Sequence, residues 1–267
     1  MKRVSIIGAG WLGLDLVGLL VQAGFSVNAS YRNTLTQSKI FAQGGEPIFL
    51  DLNERGNIPR LFFEDTNTIV ILLPPGKVLK YVNSVRDIIK QAEDFGVPKI
   101  VFSSSTSVYP DSGVAKEDAN LWLGYFPDND LLAAEKCVID CKLNHKYVLR
   151  LAGLIGPKVW EGNVTAQRNP SNFLSGKTNV PKPKAAVNLV FKDDVLKIIL
   201  HFIEKNHPSG VFNICSDDHP SRSDYYTKIC EKAGVPIPIF ANDETKGKIV
   251  SNEKIKKLLG FEFLKIW

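Results

Sequence analysis

Near the start of the chain, Gly8-Ala9-Gly10-Trp11-Leu12-Gly13 has the G-x-G-x-x-G spacing that suits binding of a pyrophosphate. The first glycine permits a tight turn after a strand. The second lets the backbone approach the phosphates, and the third lets the next helix pack close to that strand. The helix N-terminus then offers unpaired N–H groups and the positive end of its dipole. Gly8, Gly10, Trp11, Leu12 and Gly13 are therefore the expected cradle of a dinucleotide. The competing use of the glycines is packing alone.

The end of the second strand decides which dinucleotide. A carboxylate about 20 positions after the glycines would hold the adenosine ribose of NAD or FAD. That region reads Val27-Asn28-Ala29-Ser30-Tyr31-Arg32-Asn33 and has no acidic residue. Arg32, helped by Ser30, can instead pair with a 2′-phosphate and stack on adenine. The reading is NADP(H), with NAD(H) as the alternative. Further along, Lys158, Arg168, Lys177, Lys182 and Lys184 stand near Trp160 and Phe173. Basic groups beside aromatics suit a phosphorylated or nucleotide-bearing substrate, and they equally suit a solvated loop. Cys137 and Cys141 are spaced four apart on a predicted helix with no His or Cys pair nearby, so no metal is expected.

Alternating strands and helices must position these residues. Arg3 to Ile7 is a continuous apolar strand, as expected where both faces of a parallel sheet are covered. A helix from Trp11 to Ala23, closed by Gly24, leads to a strand over Ser26 to Tyr31. A helix over Leu35 to Gln43 and a strand over Pro47 to Leu52 follow. The fourth strand, Thr68 to Leu73, stops at Pro74-Pro75, which places Leu73 and Pro74 at the cofactor edge. In the next helix Val78, Tyr81, Val82, Val85, Ile88, Ile89 and Ala92 share one face. Lys99 to Ser103 and Tyr147 to Leu151 are further strands, separated by a helix near Asn129 to Asn144.

This alternation specifies an α/β Rossmann fold, a doubly wound parallel sheet with a smaller C-terminal substrate lobe. The expected division is a dinucleotide-binding domain over 1–156 and a lobe over 157–267, with 187–206 among the segments returning to the sheet. The chain has 267 residues, enough for one large domain and a lobe. With 44% apolar and 23% charged residues it has an ordinary globular balance. A net charge of +5, spread among acidic residues, argues against a nucleic-acid partner. No apolar run approaches the roughly 20 residues of a membrane span. The first strand starts almost at Met1, and four scattered cysteines make no disulfide scaffold, so the expected setting is the cytoplasm. A small-molecule substrate is the expected partner, and a homodimer is left open.

From Phe102-Ser103-Ser104-Ser105-Thr106-Ser107-Val108-Tyr109-Pro110 onward the sequence resembles the extended short-chain dehydrogenase/reductases, the NAD-dependent epimerase/dehydratase family. That family has an S-S-x-x-V-Y-G segment after its fifth strand. Asp51-Leu52 is similar to its adenine-contacting Asp-Leu. Arg150 to Pro157, Val190 to Val195 and Phe212-Asn213-Ile214 resemble later family segments in the same order. The resemblance implies an oxidoreductase, or an epimerase/dehydratase-like enzyme, acting on a sugar-type or other hydroxyl/carbonyl substrate.

It also implies a Ser with a Tyr and a Lys spaced Y-x-x-x-K on one helix face. The Lys binds the nicotinamide ribose and lowers the phenol pKa, and the Tyr moves the substrate's proton. Ser105 matches the Ser and Lys136 the Lys, but the Tyr position is Leu132, which cannot transfer a proton. Tyr125 is the expected replacement acid, with Tyr109, Asp130 and Glu117 as alternatives. The rival reading is a dinucleotide-binding regulatory or scaffold protein without turnover.

Overall fold

The computed structural model describes residues 1–54, 58–118, 121, 129–156 and 171–267. The chain forms two compact units. The first comprises Met1–Val108, Leu121–Leu149 and Leu196–Val211, and the second Tyr109–Asn120, Arg150–Val195 and Phe212–Trp267. The units interleave more finely than a boundary at 156 with a return over 187–206. The chain passes into the second unit after Val108 and again after Leu149, and it returns to the first over Leu121–Leu149 and Leu196–Val211.

The first unit opens with β1 (Arg3–Ile7), α1 (Trp11–Gln22), β2 (Ser26–Tyr31), α2 (Thr34–Ala42) and β3 (Glu46–Phe49). After β4 (Thr66–Ile71), α3 (Tyr81–Asp94) and β5 (Lys99–Ser105), short β6 (Val114–Ala115) precedes α4 (Asp130–Asp140) and β7 (His145–Leu151). The short elements β8 (Gly153–Ile155), α5 (Ser171–Leu174) and β9 (Leu189–Phe191) lead to α6 (Lys192–Glu204) and β10 (Gly210–Ile214). The chain ends with α7 (Arg222–Ala233), β11 (Ile249–Val250) and α8 (Glu253–Leu259).

Seven strands form one sheet in the order β10-β7-β5-β4-β1-β2-β3. The β5–β4, β4–β1, β1–β2 and β2–β3 pairs are parallel. Val4, Ile6 and Ile7 of β1 are fully buried, as a strand covered on both faces requires. Ser5 lies among them and is satisfied by Thr66 of the neighbouring strand, 3.1 Å away. β3 ends earlier than the expected Leu52. Its last ladder bond is Leu50 N–H to Tyr31 O, after which Asp51 turns the chain by accepting Asn53 N–H. α4 ends at Asp140, short of the expected Asn144, because Cys141 has extended ψ.

At the amino end of β5 Lys99 is a buried cation. Its ammonium donates to the carbonyls of Phe202, Ile203 and Lys205 at the C-terminal end of α6, where unpaired carbonyls favour positive charge. Burial nevertheless pulls its pKa down to about 8. His207 sits beside it, stacked on His201 with ring centroids 5.0 Å apart. Burial is the main cause that lowers both imidazole pKa values, and for both the positive charge of Lys205 adds to it. The unfolded chain therefore takes up protons first as pH falls below about 6.5. Stability from this pair is complete above that pH and is lost as pH falls through the lower folded values. Melting temperatures between pH 7.5 and 5.5 should fall more steeply for the wild type than for His201→Gln/His207→Gln. Parallel slopes would remove this assignment.

The second unit has two small parallel pairs, β6–β11 and β8–β9. Its core includes Ile155, Leu189, Phe191, Tyr225, Ile229 and Ile266. The apolar C-terminal segment from Phe261 to Trp267 reaches this core through Ile266. Leu264 N–H donates to Asp194 at 2.8 Å and Ile266 N–H to Asp218 at 2.7 Å. Among the described residues, no helix is long and apolar enough to cross a membrane.

Candidate functional site

The first unit has a cleft of about 280 Å³ at the carboxyl ends of β1 to β4. Its walls include Gly8, Ala9 and Gly10, then Ser30, Tyr31, Arg32 and Asn33, then Asp51, Leu52 and Asn53. Leu73, Pro74 and Lys77 close the far side. Sequence regions separated by many residues thus converge where doubly wound sheets bind ligands.

The three glycines have different reasons to be glycine. Gly8 has φ +111°, and a Cβ there would lie 2.7 Å from Leu72 O. A Cβ on Gly13 would lie 2.5 Å from Gly8 O. Both positions are dictated by the protein's own packing. Gly10 differs: its φ of −86° suits any residue, and nothing lies within 4 Å of a Cβ placed there. Its missing side chain leaves open space at the start of α1, on the wall of the cleft. No side chain caps α1. The N–H groups of its first turn therefore face that space with the positive end of the dipole. Trp11, Leu12 and Gly13 form this turn. Leu12 and Gly13 are buried, so they offer backbone rather than side chain.

Ser30 was expected to help Arg32. Instead its hydroxyl oxygen accepts the Gly8 N–H at 2.8 Å, tying the glycine turn to β2. Arg32 is exposed on the cleft wall, and no carboxylate among the described residues pairs with it. Asn33, the next residue, caps α2 by accepting Thr36 N–H at 2.9 Å. Sequence reasoning missed Asn53 and Lys77. Asn53 donates to Lys77 O at 3.2 Å and accepts Leu79 N–H at 2.8 Å, clamping the β3 loop to the turn after β4. That clamp brings Lys77, on the 3₁₀ turn Pro75–Lys77, into the cleft as a second cation. The only sequence signal was a Pro-Pro-Gly-Lys turn at a strand end.

The catalytic carry-over fares differently. Ser105 ends β5, and its hydroxyl accepts Ser107 N–H at 3.1 Å. Tyr125 lies outside the described residues, as do Lys158, Trp160 and Arg168. Lys136 does not reach the sheet. Its side chain is 59% exposed and pairs with Asp140 at 2.7 Å, on the groove between α3 and α4. The inward residue one position earlier is Glu135, fully buried and accepting the Ser104 hydroxyl at 2.5 Å. Helix α4 buries Leu131, Leu132, Ala134, Glu135 and Val138. A rotation of about 100° per residue therefore puts Lys136 beside the buried face rather than on it.

Near Glu135, Tyr81 is buried and donates to Leu73 O at 3.2 Å. Burial first, then the negative charge of Glu135, pushes its pKa well above the ordinary phenol value. The alternative acids in the second unit are engaged there. The Tyr109 hydroxyl donates to Asn213 Oδ1 and accepts from Arg150, both at 2.8 Å. Glu117 accepts Asn213 N–H at 2.8 Å, and burial raises its pKa. Lys182 pairs with Asp111 and Lys184 with Glu244, so these two cations of the basic stretch are already matched. No group of three or more His, Cys, Asp or Glu among the described residues is arranged to hold a metal.

This sheet order, with a glycine turn and the ends of β2 and β3 sharing one cleft, is the extended short-chain dehydrogenase/reductase fold. Solved structures with the same fold include a short-chain dehydrogenase/reductase superfamily protein from Agrobacterium tumefaciens with bound NAD. It has a TM-score of 0.76 and 19% identity, covering 99% of this chain and 93% of that one. MoeE5 in complex with UDP-glucose and NAD has a TM-score of 0.74 and 19% identity, covering 99% and 94%. No family model matches the chain. Protein YeeZ of Escherichia coli K12 is 31% identical over 294 residues, spanning 98% of this chain and 96% of YeeZ. The chain belongs to the family of Protein YeeZ, and it shares its fold with the short-chain dehydrogenase/reductase structure above.

Proposed function

We propose that the chain binds NADP(H), and NAD(H) more weakly, in the cleft of its first unit. The reading adds that it uses this cofactor on a sugar-type or other hydroxyl/carbonyl substrate. The observation that carries the binding is Gly10, a glycine that the protein's own packing does not need, beside the uncapped start of α1. A pyrophosphate fits there. Arg32 and Lys77 add two cations at the adenosine end, more than a pyrophosphate held by backbone requires and suited to a 2′-phosphate. Asp51 and Leu52 line the same wall, where adenine would lie. When bound, the nicotinamide supplies hydride exchange. Ser105 at the end of β5 then stands as a hydrogen-bond partner for a substrate oxygen. The structures of similar fold include one holding UDP-glucose and NAD, which supports a nucleotide-sugar substrate class.

Leu132 and the outward Lys136 favour a second reading, a dinucleotide binder without turnover. Calorimetric titration with NADPH and NADH tests the binding. NADPH should bind at least tenfold more tightly, and a screen of nucleotide sugars with that cofactor then separates enzyme from non-catalytic binder. Absence of binding by either dinucleotide would overturn both readings.

A further inference from the structure

A dinucleotide crosses a doubly wound sheet where the strand order reverses, with one mononucleotide on each side. Here the reversal falls between β1 and β4. Arg32 and Asp51 mark the adenosine side, at the ends of β2 and β3. The nicotinamide half is left with the ends of β4 and β5: Leu73 lines the cleft, and Ser104 and Ser105 close β5 beside it in the strand order. Glu135 is attached to that side. Its carboxylate is fully buried and accepts the Ser104 hydroxyl, and its negative charge adds to the burial that raises the Tyr81 pKa, while Tyr81 itself donates to Leu73 O. Where the family resemblance implied a cation, this chain buries an acid.

We propose that Glu135 makes the site prefer the oxidised dinucleotide, whose nicotinamide ring is a cation, over the reduced form, whose ring is neutral. The inference rests on the dinucleotide reading above. The two redox forms differ by one unit of positive charge on the ring. A carboxylate held out of water interacts with that charge far more strongly than it would in bulk solvent. Adenosine-side contacts are the same for both forms, so the charge at Glu135 acts on the ratio of affinities and not on binding in general. The expected ratio is about tenfold in favour of the oxidised form, the size of a single partly screened charge pair.

The test is calorimetric titration of wild type and Glu135→Gln with NADP⁺, NADPH and 2′,5′-ADP, which carries only the adenosine half. Gln is isosteric and keeps an acceptor for Ser104. The wild type should bind NADP⁺ about tenfold more tightly than NADPH. In Glu135→Gln that ratio should fall towards one, with 2′,5′-ADP affinity unchanged. Wild type binding NADPH as tightly as NADP⁺ overturns the proposal, and this result does not depend on whether the variant folds. An unchanged ratio in a folded Glu135→Gln overturns it too. Binding of 2′,5′-ADP without a redox preference refutes Glu135's role alone. Failure of all three ligands refutes the dinucleotide reading with it.

Discussion

Gly13→Ala should lower the stability of the fold by about 1–3 kcal/mol or more, while Gly10→Ala folds like the wild type and loses its dinucleotide. The added Cβ at Gly13 lies 2.5 Å from Gly8 O, a backbone atom in a turn that is itself held by Ser30. Relief requires α1 to move off β1. Overpacking of this kind costs about 1–3 kcal/mol and sometimes more, a large part of a marginal total of about 5–15 kcal/mol. At Gly10 the new methyl meets only open space. Two small effects oppose each other there: alanine caps a helix less well than glycine but restricts the unfolded chain. The folded state should therefore change by less than about 1 kcal/mol. NADPH affinity should fall at least tenfold, because the methyl occupies the place of the phosphates. Thermal melting and calorimetry of the two variants check this together. If Gly10→Ala binds NADPH as the wild type does, no pyrophosphate lies against Gly10.

The second large effect is expected at Arg32. Arg32→Asp should lower NADPH affinity about 100-fold and leave NADH within about threefold. A charge-assisted hydrogen bond contributes about 1.5–3 kcal/mol, and reversing the sign adds repulsion of the 2′-phosphate. Arg32 is exposed, so the difference should shrink as salt rises. Lys77→Met should act in the same direction but less strongly, because an ammonium is a point charge without the guanidinium fork. Equal losses for NADPH and NADH in Arg32→Asp would mean that Arg32 does not read the 2′-phosphate.

Some of this site was legible in the residues alone. The G-x-G-x-x-G turn follows an apolar strand and opens a helix, and local sterics permit few other conformations there. The absence of a carboxylate near Arg32 is likewise a property of composition. The period of α3 showed its buried face, because Tyr81, Val85, Ile88 and Ile89 repeat at helical spacing.

The tertiary structure decided the rest, for a reason visible in each case. Glu135 and Lys136 are neighbours on a helix, and matching to Y-x-x-x-K selects whichever residue type fits. Only the packing of α4 on β5 shows that the acid is inside and the lysine outside. Ser30 holds Gly8 from 22 positions away, and Asn53 reaches Lys77 across 24. Such bonds depend on strand order, which local pattern does not encode. Sequence by itself determined that this protein has a doubly wound sheet with a G-x-G-x-x-G turn between its first strand and first helix. Tertiary packing determined which charges stand around that turn, because a side chain's surroundings are set by the elements that fold against it.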